Sequence, residues 1–395
     1  MLADILNSSP YVTYLDYAAT TPLDPAVLEA MLPHLSGAHA NPASDHGPGR
    51  RARLAVEQSR AKVAKAIGAE VGEIIWTSGA TESDNLAIKG ALEFYGEAGG
   101  RAHIVTSRTE HKAVLDTCRY LETRGVRVTY LEPGPDGRIC VAQVMAALEP
   151  DTCLVSLMWV NNETGAINEV EALAPLLAER GILFHVDAAQ AVGRVPIDLS
   201  QTPISLMSMS GHKAYGPKGI GALFVRRRPR ARLAPQLHGG GHEQGMRSGT
   251  LATHQIVGMG AAFELAAERR EPDSAHALRL RAALLQSIGC LDGVFRNGGD
   301  GACVPHILNL SFEGVDGESL RAGLPGLAVS SGSACSAATQ EPSYVLRALG
   351  RSDALAGASL RFSYGRGTAE ADAREAGAAV AAEVLRLRAL SPIWD

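Results

Sequence analysis

The sequence predicts an α/β protein, with a mainly parallel sheet of about seven strands in a large domain and a smaller α+β domain at the C-terminal end. The 395 residues, of which 46% are hydrophobic, suffice for a large core and more than one domain. From about residue 74 to 225, short β-rich runs alternate with longer helical patterns. After about Gly258 the sequence changes to Ala-rich helical patterns with few strands.

The predicted large domain spans residues 16–262. Its strands are predicted at 73–77, 103–106, 126–130, 152–157, 182–186, 205–209 and 221–225. Because a strand and then a helix recur along the chain, the connections are predicted to be right-handed crossovers in a parallel sheet with helices on both faces. Ligands bind such sheets at the carboxyl ends of the strands.

The predicted small domain combines residues 1–15 with 263–395. Its helices are predicted at 261–270, 274–288 and 369–388, and its strands at 306–312 and 359–363. A loop at about 328–340 is rich in small polar residues and is predicted to be mobile.

Charge and cysteine content exclude several functions. The net charge is -5 without a long run of one sign, so we predict no nucleic-acid partner. The six cysteines form neither a C-x-x-C pair nor a zinc-binding spacing, which favours a reduced, cytoplasmic setting and no metal. We predict neither a secretory signal nor a membrane-spanning run in this sequence. These features favour an enzyme that acts on small molecules.

Small residues follow the first predicted strand in Ser78-Gly-Ala-Thr-Glu82. They would let backbone N–H groups bind a phosphate at a helix N-terminus, although an ordinary capping box is the simpler explanation of so short a motif. Lys213 in Ser210-Gly-His-Lys213 also follows a strand and could form a Schiff base, whereas most lysines in such loops are solvated.

Asp187 ends an apolar strand, where a buried carboxylate needs a cation such as a protonated pyridine nitrogen. An N-cap role explains it equally well. His111, which follows another strand, could stack on a planar ring or relay a proton, but a histidine at a helix start is more often a cap.

Cys335 lies among small polar residues in Ser330-Ser-Gly-Ser-Ala-Cys335, a setting that suits a thiol that must approach and leave a substrate. An incidental loop cysteine is the alternative. Arg361 in an otherwise apolar strand could bind a carboxylate through two hydrogen bonds or form a structural salt bridge.

Taken together and in order, these motifs resemble the cysteine desulfurases of the IscS/NifS type, which belong to the class V aminotransferases of fold type I. The resemblance runs from about Tyr14 to Trp394. It is carried by Asp16-Tyr-Ala-Ala-Thr-Thr-Pro22, Thr77-Ser-Gly-Ala-Thr-Glu-Ser-Asp-Asn85, Thr109-Glu-His-Lys112, Val160-Asn-Asn-Glu163, Ser210-Gly-His-Lys213, Gly239-Gly-Gly-His-Glu-Gln-Gly-Met-Arg-Ser-Gly-Thr250, Ser330-Ser-Gly-Ser-Ala-Cys335 and Glu341-Pro-Ser-Tyr-Val-Leu-Arg-Ala-Leu-Gly350.

The resemblance implies a pyridoxal 5'-phosphate (PLP) enzyme. Lys213 would carry PLP as a Schiff base, with Asp187 at the pyridinium nitrogen, Gln190 at the ring hydroxyl and His111 stacked on the ring. The implied phosphate ligands are Ala80, Thr81, Ser210 and His212, with Thr250 from a second subunit of a homodimer. Asn162 would contact the cofactor and, with Arg361 and Asn41, the substrate carboxylate.

The implied reaction converts L-cysteine to L-alanine. Lys213 would take the α-proton, and the Cys335 thiolate would attack the substrate sulfur to give a persulfide that passes to an acceptor protein. An iron–sulfur scaffold is the expected acceptor. Members similar to this chain continue beyond the equivalent of Asp395 with a tail that helps to dock that scaffold, and the stretch after Asn41 is one residue shorter than in those members.

Two other functions remain open at this point. A selenocysteine lyase would share every cofactor residue, and an inactive sulfur-relay protein would keep the fold without the chemistry. A dinucleotide-binding dehydrogenase is disfavoured because no G-x-G-x-x-G follows the first strand.

Overall fold

The computed structural model describes residues 12–99, 102–299, 302–331 and 341–391. In these ranges the strands are β1 (Thr13–Tyr14), β2 (Ile74–Thr77), β3 (His103–Ser107), β4 (Arg127–Leu131), β5 (Thr152–Met158), β6 (Leu183–Asp187), β7 (Leu206–Ser210), β8 (Gly221–Val225), β9 (Val294–Asn297), β10 (Ile307–Phe312), β11 (Leu327–Ala328) and β12 (Ser359–Ser363).

The α-helices in the same ranges are α1 (Pro25–Leu35), α2 (Gly47–Ala66), α3 (Ala80–Gly99), α4 (Lys112–Glu122), α5 (Val141–Ala146), α6 (Val170–Glu179), α7 (Thr253–Ile288), α8 (Gly317–Ala322), α9 (Tyr344–Ala348), α10 (Asp353–Gly357) and α11 (Glu370–Leu390). Short 3₁₀ turns lie at Val71–Glu73, Gly211–Lys213 and Glu243–Gly245.

The large sheet has seven strands in the order β2-β8-β7-β6-β5-β3-β4. All its strands run in parallel except β8, which pairs antiparallel with both β2 and β7. Strands β5, β7 and β8 are buried along their whole length, because helices cover both faces of the sheet. The predicted mainly parallel sheet of about seven strands is confirmed, and each predicted strand lies within one residue of an observed one.

This topology positions the candidate site. Strands β3, β5, β6 and β7 are parallel neighbours, so their carboxyl ends meet at one edge of the sheet. The segments that follow them begin at Arg108, Trp159, Ala188 and Gly211. These segments carry most of the motifs identified in the sequence.

A second, antiparallel sheet has the order β12-β10-β9 and belongs to a separate hydrophobic cluster. That cluster combines Leu15 with residues of α7, β10, β12 and α11, including Leu284, Leu310, Phe362 and Val380. β1 pairs in parallel with β11 and ties the start of the described chain to this part of the molecule.

One helix, α7, differs from the prediction. The sequence predicted two helices, at 261–270 and 274–288, separated near Pro272, whereas the structure has a single 36-residue helix. Proline removes one backbone donor, but burial of Phe263 at one end and Leu284 at the other outweighs that local cost. The predicted domain boundary between 262 and 263 falls inside this helix and remains a prediction.

Candidate active site

A cavity of about 620 Å³ opens at the carboxyl edge of the large sheet. Most of its walls come from the segments that follow the parallel strands, and one residue comes from β12. Ten of the predicted site residues line it: Ala80, Thr81, His111, Asn162, Asp187, Gln190, Ser210, His212, Lys213 and Arg361.

One end of the cavity is built to receive an anion. Helix α3 begins at Ala80, where the first backbone N–H groups of a helix have no partner within the helix. Ser210 Oγ is buried at the same wall and has no hydrogen-bond partner among the described residues. The loop lies so close to β8 that a Cβ on Gly221 would be 2.6 Å from Gly79 Cα, so position 221 requires glycine.

His212 adds a neutral donor to this end. Burial, together with the charges of Lys213 and Lys218, lowers the pKa of His212 to about 4. Its Nδ1 lies 3.1 Å from Thr20 Oγ1. A neutral imidazole keeps one N–H, which suits contact with a phosphate oxygen.

Lys213 follows β7 in a 3₁₀ turn and lines the cavity. Its Nζ donates to Ala18 O at 2.6 Å and to Ala19 O at 2.9 Å. The amine is therefore held at the cavity wall by backbone carbonyls and does not extend into solvent.

Asp187 ends β6 with 6% of its surface exposed. Its Oδ1 accepts a hydrogen bond from Ala189 N at 2.9 Å, so Asp187 both caps the following segment and lines the cavity. Burial, and next the charge of Asp84, raises the pKa of Asp187 from 3.8 to about 6. A cationic ring nitrogen in the cavity would relieve that penalty.

His111 likewise serves as a helix cap and as a cavity residue. Its Nδ1 accepts from Ala113 N at 3.1 Å at the start of α4. That bond fixes the orientation of the imidazole ring. The preceding Glu110 is completely buried and accepts from Met158 N at 2.9 Å.

Arg361 both forms a structural ion pair and lines the cavity. Nη2 donates to Asp16 Oδ1 at 2.7 Å and Nη1 to Asn162 O at 2.9 Å. Arg361 Nε and Asn162 Oδ1 are buried without hydrogen-bond partners among the described residues. A ligand carboxylate could accept from the unused donor, Arg361 Nε, and a ligand N–H or O–H group could donate to the unused acceptor, Asn162 Oδ1.

Gln190 is fixed from two sides. Its Nε2 donates to Ala18 O at 2.8 Å, and its Oε1 accepts from Arg194 Nη1. Burial lowers the pKa of Arg194 to about 10. The cation behind Gln190 therefore orients the amide that faces the cavity.

Asn41 and Thr250 lie outside this cavity within the single chain. Both line a separate, open pocket of about 320 Å³. The segment before Thr250 is firmly anchored, because Glu243 pairs with the buried Arg60 at 2.7 Å and accepts from Trp76 N at 2.7 Å. Thr250 is thus held at the surface, away from its own cavity.

Cys335 lies outside the described residues. The chain that follows it is tied to the cavity by two contacts that the sequence did not reveal. Ser343 Oγ donates to Glu163 Oε2 at 2.5 Å, and Tyr344 Oη donates to Glu110 O at 2.7 Å. Tyr344 and Glu163 both line the cavity. The sequence motif Glu341–Gly350 contains Ser343 and Tyr344, but it did not indicate these contacts.

None of the helices in the described ranges is long and apolar enough to cross a bilayer. Within the same ranges, no group of His, Cys, Asp and Glu side chains is arranged to hold a metal ion.

Comparison with known proteins decides the family. The family model "Aminotransferase class-V" matches residues 13–375. The chain is 57% identical over 385 residues to the cysteine desulfurase IscS of Pseudomonas aeruginosa, covering 97% of this chain and 95% of that protein. The chain belongs to the IscS-type cysteine desulfurases.

Solved structures of the cysteine desulfurase family and its neighbours have the same fold. A NifS-like protein aligns with a TM-score of 0.88 and 33% identity over 95% of this chain and 100% of its own. A structure described as SspA in complex with cysteine aligns with a TM-score of 0.81 and 40% identity over 89% of this chain and 99% of its own. The resemblance inferred from the motifs and the fold type are both confirmed.

Membership of the class V aminotransferases implies PLP, and the cavity fits that cofactor. A helix N-terminus with the unpartnered Ser210 hydroxyl suits a phosphate, and a lysine amine lies at the cavity wall. A buried carboxylate with a raised pKa, Asp187, suits a protonated ring nitrogen.

Proposed function

We propose that this protein is a PLP-dependent cysteine desulfurase, which converts L-cysteine to L-alanine and transfers the sulfur to Cys335. The observation that carries the proposal is the meeting of Lys213, Asp187, His111 and Arg361 in one cavity. An amine, a buried carboxylate, an oriented imidazole and a guanidinium are the groups that this reaction requires.

The residues proposed to hold the cofactor follow from the two ends of the cavity. Ala80, Thr81, Ser210 and His212 would bind the phosphate, and Asp187 and Gln190 would contact the ring nitrogen and the ring hydroxyl. When bound, PLP supplies an electron sink that stabilises negative charge at the substrate α-carbon. Every other contribution comes from side chains of the protein.

Lys213 is proposed as the covalent anchor and, once released, as the base that takes the α-proton of the substrate. Its neighbours Ala18 O and Ala19 O can hold the free amine near the cavity while the substrate is bound. His111, whose ring orientation is fixed by Ala113 N, is proposed to stack on the ring and move protons at Nε2.

The substrate carboxylate is proposed to bind Arg361 and Asn162. Both residues line the cavity, and Arg361 Nε is a buried donor without a hydrogen-bond partner among the described residues. Asn41 is proposed as a further contact for the carboxylate, and within the single chain it lies in the neighbouring pocket with Thr250.

Cys335 is proposed as the sulfur acceptor. Its thiolate attacks the substrate sulfur, so an S–S bond forms as the Cβ–S bond breaks. The carbon skeleton takes up protons and leaves as alanine, and the enzyme keeps a persulfide. Neither this step nor transfer of the sulfur to an acceptor thiol consumes an oxidant or reductant, whereas release as sulfide requires a reductant.

The site is proposed to be completed by dimerisation. Thr250 is held at the surface by the Arg60–Glu243 anchor and lies outside its own cavity. These facts support a phosphate contact from Thr250 of the partner subunit in a symmetric homodimer. A cytoplasmic location and an iron–sulfur scaffold as the sulfur acceptor are the remaining parts of the proposal.

The test is to incubate the purified protein with L-cysteine and a reductant while measuring alanine, sulfide and the visible spectrum. Equal amounts of alanine and sulfide from a yellow protein are expected. Alanine formed only from selenocysteine would instead identify a selenocysteine lyase. Borohydride reduction and peptide mapping should locate the cofactor on Lys213, and attachment to Lys218 or Lys112 would refute the proposed anchor.

A further inference from the structure

A cluster of buried ionisable side chains lies near Asp187 but outside the cavity lining. Its members are Asp84 on α3, Glu110 before α4 and His185 on β6, and none of them lines the cavity. Their exposed fractions are 1%, 0% and 0%. None of the roles proposed above uses these three side chains.

Asp84 is the unusual member. Neither of its carboxylate oxygens has a hydrogen-bond partner among the described residues. The imidazole of His185 lies close by, with its Nε2 3.5 Å from Asp84 Oδ1. A buried carboxylate without hydrogen-bond donors costs several kcal/mol, so an apolar side chain would stabilise the fold better.

His185 is held in place by two hydroxyl groups. Its Nδ1 lies 2.8 Å from Ser156 Oγ on β5, and its Nε2 lies 2.9 Å from Ser208 Oγ on β7. Hydroxyl groups can either donate or accept, so this arrangement tolerates the neutral and the charged imidazole alike. His185 and Asp187 are two residues apart on β6, so they lie on the same face of the strand.

The charge of Asp84 reaches Asp187. The burial of Asp187 is the largest cause of its raised pKa, and the charge of Asp84 is the second largest. The other ionisable groups around the two carboxylates are Glu110, His111 and His185, with Cys118 beyond Glu110. Burial raises the pKa of Glu110 well above its usual value, and Glu110 is not among the groups that shift the pKa of Asp187.

We propose that Asp84 is a positioning residue whose negative charge, acting through His185 and Asp187, keeps the ring nitrogen of the bound cofactor protonated. Two buried carboxylates on one side of a cation bind its proton more tightly than one carboxylate does. A protonated ring nitrogen makes the cofactor a better electron sink. This inference rests on the proposed function, because it assumes that PLP binds in the cavity with its nitrogen at Asp187.

The test uses protein reconstituted with ¹⁵N-labelled PLP, whose ring-nitrogen resonance reports protonation directly. Asp84→Asn keeps the shape of the side chain and removes its charge. The pH at which the nitrogen loses its proton is expected to fall by about one unit, a tenfold loss of proton affinity. The dissociation constant of PLP should rise by about the same factor.

Two variants serve as controls. Glu110→Gln alters the same buried cluster at a side chain that does not shift the pKa of Asp187, and Asp116→Asn makes the same substitution as Asp84→Asn at an exposed position of α4. Both should keep the wild-type midpoint. If Asp84→Asn does not fold, Asp84→Ser removes the same charge with a smaller side chain.

A wild-type midpoint in the charge-removing variant would overturn the inference, even if the variant were less stable, because a purely structural role changes only the melting temperature. An equal shift in Glu110→Gln would also overturn it. Failure of the wild-type protein to bind PLP would instead refute the proposed function.

Discussion

Arg361 Nη2 donates to Asp16 Oδ1 at 2.7 Å, and the pair joins strand β12 to the segment that follows β1. The side chain of Arg361 is 2% exposed and that of Asp16 is 20% exposed. The cation proposed to bind the substrate is therefore held by a carboxylate of the protein before any substrate arrives. Removing that carboxylate leaves a buried guanidinium without its ionic partner.

We therefore expect Asp16→Asn to lower the free energy of unfolding by about 2 kcal/mol, measured by urea denaturation. Asp353→Asn is the matched control, because it breaks an Arg–Asp pair of the same length, 2.7 Å, with Arg347 at the surface. The control should lose less than about 1 kcal/mol. Equal losses in the two variants would contradict the claim that burial of Arg361 makes its pair important.

Asp187 gives the cofactor-free protein a pH-dependent stability. Its folded-state pKa of about 6 lies above the ordinary 3.8, so the contribution of this group to folding is fully present below about pH 4 and is lost as the pH rises through 6. At pH 8 the charged carboxylate costs about 3 kcal/mol.

Asp187→Asn removes this titration and leaves an acceptor for Ala189 N. We expect the cofactor-free variant to be more stable than wild type at pH 8 and to lose most of that advantage by pH 4. Urea denaturation at the two pH values measures the difference, with the exposed Asp116→Asn as control. An advantage that does not change with pH would show that Asp187 does not titrate in this range.

Cys335→Ser should keep the bound cofactor and its spectral response to L-cysteine but form almost no alanine, because a hydroxyl does not accept sulfur from the substrate. Cys290→Ser changes an exposed cysteine of the described chain and should retain wild-type turnover. Alanine release by the two variants decides the assignment. Full turnover by Cys335→Ser would assign the sulfur acceptor to another thiol.

Mixed dimers test the proposed contribution of Thr250 across subunits. A Lys213→Ala subunit paired with a Thr250→Ala subunit would contain one complete site, made from Lys213 of one chain and Thr250 of the other. We expect about half of the wild-type activity and wild-type PLP affinity at that site, measured on dimers with two different affinity tags.

Each variant alone serves as the control for this experiment. Homodimers of Lys213→Ala should be inactive, and homodimers of Thr250→Ala should bind PLP more weakly. If Thr250 acted within its own chain, the mixed dimer would show only the weak binding of the Thr250→Ala protein.

The sequence predicted those parts of the fold that depend on local pattern. Runs such as Thr152–Met158 are apolar because both faces of a parallel sheet are covered, and small residues after β2 predicted the helix N-terminus that lines the cavity. The motifs also predicted ten residues that the structure brings to one cavity. Position after a strand end was the physical signal in most of these cases.

The remaining features depend on contacts between segments that are far apart in the sequence. No local pattern links Arg361 to Asp16 or His185 to Asp84, because each pair meets only when the sheets assemble. The continuous helix α7 was missed for a related reason. Pro272 is a strong local signal for a break, and the burial that overrides it lies at both ends of the helix.

Helix α7 contributes Ile256, Met259 and Phe263 to a hydrophobic cluster that includes residues of the large sheet, and Leu280, Leu284 and Ile288 to the cluster of the antiparallel sheet. The two hydrophobic clusters thus share one continuous helix. Pro272, which has no backbone N–H to donate, lies between the residues that anchor the helix in each cluster. A movement of one cluster relative to the other would bend helix α7 near Pro272. Heat should melt both halves in a single cooperative step, since neither core is complete without its end of the helix.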